Sequence, residues 1–350
     1  MFPFKSNKNK FRGVKDITSF KEIPEITGLE DRNKSLIKGG IIHHEVRKRI
    51  QNYIKPGIKL SELAIFIEDN IRELTKNKGL NNGIGFQPSL SITECAAHFG
   101  PDPKKNLDRV LKESDNIKID FGVVVNGWIV DCAFSIYFDE KYDNLHKAVL
   151  EATNHGIKTL ANDVIIREWG KGIQEVMESY EIEINNETKP IKCIKNLGGH
   201  NIIKNKIHGG MFLPSYEVKN YSDNLRFKDG VYAVETFGGI DCSFAPSRHS
   251  ENSNFMYQVP ESSYHKFKNK DARKLHKKII KKFNGIPFGT RHLEGMSNKI
   301  DSTMKYLTDS GLIKNYPPLY TSNGLMSAQY EHTLILENGK KYVVSQFEDY

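Results

Sequence analysis

Apolar residues recur at helical spacing in two early segments. Ile42, Val46, Ile50 and Tyr53 share one stripe and, after Lys-Pro-Gly, Leu63, Ile67, Ile71 and Leu74 share another, which predicts two amphipathic helices. Further helices are predicted around 142–160 and 163–179. Between these pairs the period changes to strand-like runs, "IKIDFGVVVNGWIVDCAF" at 117–134, and later "GVYAVETFGG" and "SAQYEHTLIL". Residues 254–316 are more polar and read as helical, and no repeat of solenoid period is visible. Two rounds of helices followed by strands predict an α+β fold of two related halves.

Asn126-Gly127 lies between two β-rich runs, and both residues tolerate the positive φ of a type I′ hairpin turn. A two-residue turn sets Val125 opposite Trp128, Val123 opposite Val130 and Phe121 opposite Cys132, giving one wholly apolar face. On the other face Gly122 opposes Asp131 and Ala133 opposes Asp120, so two carboxylates are diagonal neighbours, about 7 Å apart or less. Like charges that close repel, so one stays protonated, both point into water, or a cation lies between them. A solvated polar face is one reading. Small residues opposite both aspartates leave room for something held by them, which is the other.

The chain has 350 residues, 38% hydrophobic and 27% charged, an ordinary globular composition ample for a substantial core. No stretch has the apolar length of a membrane span or a signal peptide, and residues 1–30 read as a loose basic tail. Cys95, Cys132, Cys193 and Cys242 form no CxxC pair, which suits a reducing cytoplasm and argues against a structural zinc cluster. The net charge of +8 is concentrated in residues 264–283, where Leu275 and Ile279 support a helix. Its lysines are either a solvated face or a contact for an anionic polymer such as ribosomal RNA.

Three more polar residues interrupt apolar or glycine-rich context: His200 in "GGHNI", Glu235 in "YAVETF" and Glu331 in "AQYEHT". Singly, each has a dull explanation as a satisfied or salt-bridged group. With the two aspartates they make four carboxylates and one imidazole. Burying four carboxylates without a cation is expensive, so one or two divalent ions are the economical explanation. Oxygen-rich ligation with one imidazole favours Mn, Co, Fe or Zn over a thiolate-type site.

The motifs "AAHFGPD", "IKIDFG…NGWIVDCAF", "GGHNI…IHGG", "YAVETFG" and "AQYEHT" occur in the order found in the methionine aminopeptidase family, and the chain most resembles its type 2 branch. The resemblance runs from about residue 30 to the last residue. It implies a pita-bread (creatinase/aminopeptidase) fold, two pseudo-symmetric α/β halves in a single catalytic domain over 31–350, with a type 2 helical insertion at about 254–316. It also implies removal of the initiator methionine from nascent proteins by hydroxide attack on the first peptide bond at a metal pair.

By the same resemblance the metal ligands are Asp120, Asp131, His200, Glu235 and Glu331. Asp131 and Glu331 bridge two ions, Asp120 chelates one, and His200 with Glu235 completes the other. Glu235 then shuttles the proton, His208 bonds the substrate carbonyl and His98 the leaving amide nitrogen. Phe86, Ile207 and Tyr316 wall a methionine pocket. A departure stands at Asn254, where type 2 enzymes of eukaryotes usually carry a histidine near the pocket. The implied partners are nascent N-termini and, through 264–283, the ribosome. The expected protein is a monomer in the cytoplasm and touches no membrane. The competing class is a non-catalytic ribosome- or RNA-binding relative on the same fold, which the full ligand set disfavours. Prolidase-like enzymes usually carry a large extra N-terminal domain, for which residues 1–30 leave no room.

Overall fold

The two early apolar stripes fold as α1 (Asp31–Tyr53) and α2 (Leu60–Thr75). Ile42, Val46 and Ile50 are buried, as are Leu63, Ile67 and Ile71. Tyr53 departs from its expected place in the core. It is 39% exposed at the last position of α1 and stacks on Phe66 of α2 at 4.0 Å. The computed structural model describes residues 31–77, 79–105, 107–219, 222, 224–247, 256–260 and 267–350. The expected basic tail, Asn254 and residues 264–266 of the basic run lie outside the described residues.

After the helices come β1 (Asn82–Ile92), β2 (Cys95–Ala97), β3 (Asn116–Val125) and β4 (Trp128–Tyr137), with β1, β3 and β4 adjacent in one antiparallel sheet. The hairpin has the expected register, Gly122 opposite Asp131 and Ala133 opposite Asp120, turning at positive φ on Asn126 and Gly127. Its apolar face, including Ile119, Phe121, Val123 and Phe134, joins Val46, Ile50, Leu63 and Ile67 in one cluster. The other face is buried as well: Lys118 is 1% exposed and Asp131 4%. That overturns the solvated-face reading, because the second half of the chain covers this side.

The second half repeats the plan. Helices α3 (Asp143–Thr159) and α4 (Ile166–Glu178) precede β5 (Glu181–Ile184), β6 (Glu187–Cys193), β7 (Gly198–Ile202), β8 (Phe212–Pro214) and β9 (Gly230–Ile240). The chain next forms β10 (Met256–Gln258), α5 (Lys270–Phe283), β11 (Phe288–Gly289), α6 (Ile300–Asp309) and β12 (Lys314–Tyr316). It closes with β13 (Leu319–Tyr320), β14 (Ser327–Glu337) and β15 (Lys340–Val343). The larger sheet runs β15-β14-β9-β6-β5, with β7 also on β9 and β8 on β7. Two helices followed by three long antiparallel strands in sequential spatial order, β1-β3-β4 and then β6-β9-β14, make the halves alike.

The segment from β10 to β12 has its own small sheet, β11-β10-β12, and its own core of Tyr257, Leu275, Ile279, Phe288 and Leu307. Asn269 caps α5 by accepting from the Asp271 and Ala272 amides, and Leu275 and Ile279 point inward while the lysines stay exposed. This segment is latched to α2. The buried Glu68 carboxylate receives Arg291 Nη2 at 2.5 Å and His292 Nε2 at 2.9 Å, and Thr290 donates to Asp102 at 2.6 Å. Among the described residues no helix is long and apolar enough to cross a membrane.

Candidate metal centre

Five strands place one polar side chain each on the ground between the two sheets: Asp120 on β3, Asp131 on β4, His200 on β7, Glu235 on β9 and Glu331 on β14. Glu235 and Glu331 are directly opposed in the β9–β14 ladder, a pairing of like charges that a sheet avoids unless something intervenes. The ligand atoms of Asp131, His200 and Glu331 all lie within 4.8 Å of one another, as do those of Asp120, Glu235 and Glu331. Two triplets sharing Glu331 thus unite all five residues singled out in the sequence. Glu235 stands with Asp120 in these triplets, whereas the resemblance pairs it with His200.

The chemistry of the donors fits a divalent cation. Asp120 Oδ1, Asp131 Oδ1 and Glu331 Oε1 are buried and have no hydrogen-bond partner among the described residues. Burial and then repulsion from the other carboxylates hold the Asp120, Glu235 and Glu331 carboxyls well above the usual carboxylate range. His200 Nδ1 faces the Asn201 carbonyl at 3.3 Å, which can only accept, so Nδ1 carries the proton. Its Nε2 lies 3.3 Å from Asp131 Oδ2, where it would meet a metal held by that carboxylate.

Two further histidines line the same ground. The His208 ring stands edge-on to His200 with centroids 4.5 Å apart, and both His98 and His208 approach Tyr316, at 5.9 and 5.8 Å. Burial pushes His98 down to about 4, and burial with the neighbouring His200 and His98 pushes His208 down to about 2, so both are neutral at pH 7. His98 sits at φ 67, outside any strand, and its Nδ1 donates to the Pro317 carbonyl at 3.2 Å. Its Nε2 is therefore an acceptor. Phe86, Ile207 and Tyr316 fall in one apolar cluster, together with Met256, which pairs with Tyr316 across β10 and β12.

Sequence reasoning passed over Met256, Gln329 and Lys118. Gln329 is buried and donates to Glu235 Oε2 at 3.1 Å. Its position two residues before Glu331 on one strand face was the available signal. Lys118, two residues before Asp120, is buried with Nζ 2.8 Å from the Thr93 carbonyl, and burial pushes it down to about 7.

Comparison with known proteins converges on one family. Residues 34–250 match the model of metallopeptidase family M24. The chain is 41% identical over 317 residues to methionine aminopeptidase 2 of Komagataella phaffii, covering 89% of this chain and 69% of that protein. It is 41% identical over 331 residues to methionine aminopeptidase 2 of Kluyveromyces lactis, covering 92% and 77%. Among solved structures, a thermophilic Arx1 superposes with TM-score 0.77 at 14% identity, covering 90% of this chain and 91% of that one. Methionine aminopeptidase of Thermotoga maritima superposes with TM-score 0.59 at 16% identity, covering 91% and 98%. The prolidase of Pyrococcus furiosus gives 0.53 at 12% identity, covering 91% and 65%. Likenesses this distant in sequence establish the fold alone.

Proposed function

The chain belongs to metallopeptidase family M24 and is a metal-dependent aminopeptidase with the pita-bread fold, and from that premise we propose that it frees the initiator methionine from nascent polypeptides. The observation that carries the site assignment is the convergence of Asp120, Asp131, His200, Glu235 and Glu331, with a buried carboxylate oxygen left without a hydrogen-bond partner on each of Asp120, Asp131 and Glu331 among the described residues. We assign these five as the ligands of two divalent ions, Co, Mn, Fe or Zn. As the resemblance has it, Asp131 and Glu331 would serve both ions, Asp120 one and His200 with Glu235 the other, while the structure groups Glu235 with Asp120 and Glu331. When bound, the ions supply an acidified water and polarise the scissile carbonyl.

The protein's own groups do the rest. Glu235, with its carboxyl pushed upward, accepts a proton from the attacking water and returns it to the departing amine. Gln329 orients that carboxylate. Neutral His208 donates to the substrate carbonyl oxygen as charge develops there. His98, whose Nε2 can only accept, receives the N–H of the bond being cut. Phe86, Ile207 and Tyr316, with Met256, offer the apolar wall for an unbranched thioether side chain.

In the same reading residues 31–350 are one catalytic domain carrying the 254–316 segment as a helical insertion, supported by that segment's separate core. The exposed lysines of α5 support ribosome contact through 264–283, and the protein works as a cytoplasmic monomer. The test is release of methionine from a Met-Ala-Ser peptide by chelator-treated protein resupplied with Mn(II) or Co(II). Release is expected, and is lost in Asp131→Ala. No release, with Asp131→Ala binding RNA like the native chain, would establish the non-catalytic reading instead. Reversing Lys277, Lys278, Lys281 and Lys282 to glutamate should weaken ribosome co-sedimentation and spare cleavage. Unchanged sedimentation would make the basic helix a solvated face.

A further inference from the structure

Strands β4 and β14 run side by side but belong to different sheets, and no backbone hydrogen bond joins them among the described residues. Side-chain hydroxyls fill the place of the missing ladder. Thr333 Oγ1 accepts from the Asp131 amide at 2.9 Å and donates to the Asp131 carbonyl at 2.6 Å. Ser135 Oγ does the same for Gln329, accepting from its amide at 3.1 Å and donating to its carbonyl at 2.8 Å. Midway between these two clamps the Tyr350 hydroxyl lies against the carbonyls of Ala133 and Glu331, the latter at 2.6 Å. The Cys132 thiol also donates to Glu331 O, at 3.1 Å.

Tyr350 is held there by more than its hydroxyl. Its ring stacks on His332 with centroids 4.4 Å apart, and Arg47 stands 5.1 Å from it. The adjacent Asp349 carboxylate is gripped by fully buried Arg47 through Nε at 2.7 Å and Nη2 at 2.8 Å. The backbones of Asp131 and Glu331, carried by strands of different sheets, are thereby tied to one another through hydroxyl groups on the face away from solvent.

We propose that Thr333 and Tyr350 are positioning residues for the metal site: their hydroxyls set the separation of β4 and β14, and with it the spacing of Asp131 and Glu331. This rests on the reading of those two carboxylates as shared metal ligands. A backbone ladder would impose its own strand spacing of about 4.8 Å, whereas an interposed hydroxyl holds the strands further apart. Removing a hydroxyl leaves buried carbonyls or an amide unsatisfied, and the seam must then shift to satisfy them.

The experiment is calorimetric titration of metal-free protein with Mn(II), alongside melting temperature and steady-state kinetics. Tyr350→Phe and Thr333→Val should each weaken Mn(II) binding about tenfold or more, the usual effect of losing a group that orients a ligand. They should lower kcat with little change in KM, and Thr333→Ser, which keeps the hydroxyl, should restore the native affinity. Tyr330→Phe is the control, since its ring also packs on Tyr350 but the buried phenol it loses bonds His146 rather than the β4–β14 seam. It should leave Mn(II) affinity unchanged whatever it does to the melting temperature. Native Mn(II) affinity in both Tyr350→Phe and Thr333→Val would overturn the proposal, as would an equal loss in Tyr330→Phe. Peptide cleavage by the native chain tests the aminopeptidase reading separately from these binding curves.

Discussion

Gly122 packs against Phe86 of the proposed methionine pocket, and replacing it with alanine tests that wall. It lies opposite Asp131 on one side and opposite Phe86 on the other. A Cβ at this position would stand 2.5 Å from Phe86 Cδ1 and Cε1 and 3.3 Å from Gly85 Cα. Ordinary carbon contacts are about 3.5 Å, so the ring must retreat by about 1 Å. The backbone cannot yield, because β3 is paired on both edges. Overpacking of this size costs about 1–3 kcal/mol. In Gly122→Ala the melting temperature should fall by a few degrees, and KM for Met-Ala-Ser should rise about tenfold as the displaced ring enters the space for the substrate side chain. Adding Phe86→Leu should recover the melting temperature, since the clashing ring carbons are gone, without recovering KM. A Gly122→Ala protein with native melting temperature and native KM would refute both the steric account and the assignment of Phe86 to the pocket.

In chelator, Glu331→Gln should melt higher than the native chain, because it removes one of several mutually repelling buried carboxylates, and Mn(II) should then raise the melting temperature of the native chain only. A lower melting temperature in the metal-free variant would show that the carboxylate is satisfied without a cation. The carboxyls of Asp120, Glu235 and Glu331 are raised in the folded state. Their contribution to stability is therefore full below about pH 4 and is lost as pH rises through the raised folded values. Metal-free protein should melt at progressively lower temperature as pH rises from 5 to 8, a trend that saturating Mn(II) abolishes; a flat metal-free profile would contradict it. Glu68 has the opposite sign. Hydrogen bonds and charge from His292 and Arg291 outweigh its burial and bring it down to about 2, so the latch stabilises above about pH 4 and is lost as pH falls toward 2. Glu68→Ala should destabilise by about 3 kcal/mol and speed proteolysis between β10 and β12; native proteolytic resistance would argue against a latch.

The hairpin was legible because its turn residues and its alternation are local. Asn126-Gly127 sets the register, and the register alone puts Asp120 and Asp131 on one face. Burial of that face was not legible, since what covers it arrives some two hundred residues later with β14. The same distance hid the opposition of Glu235 and Glu331: each is visible as a carboxylate inside an apolar run, but only the fold pairs them. Tyr53 illustrates the converse error. Its spacing fits the α1 stripe, yet helical periodicity says nothing about where the covering partner stops. Arg47, Lys118 and Tyr350 were illegible for a different reason: a long polar side chain reads as surface until its partners are known, and theirs lie on other elements.

The proposed ligands are divided between two separately built sheets. Asp120 and Asp131 come from the first, and His200, Glu235 and Glu331 from the second. The centre therefore acts as a coincidence detector for assembly. Neither half owns a complete triplet, and no growing chain shorter than 331 residues holds the full set. On the proposed assignment, capture of metal by this set waits for the second sheet, since a chain that has not reached Glu331 completes neither triplet.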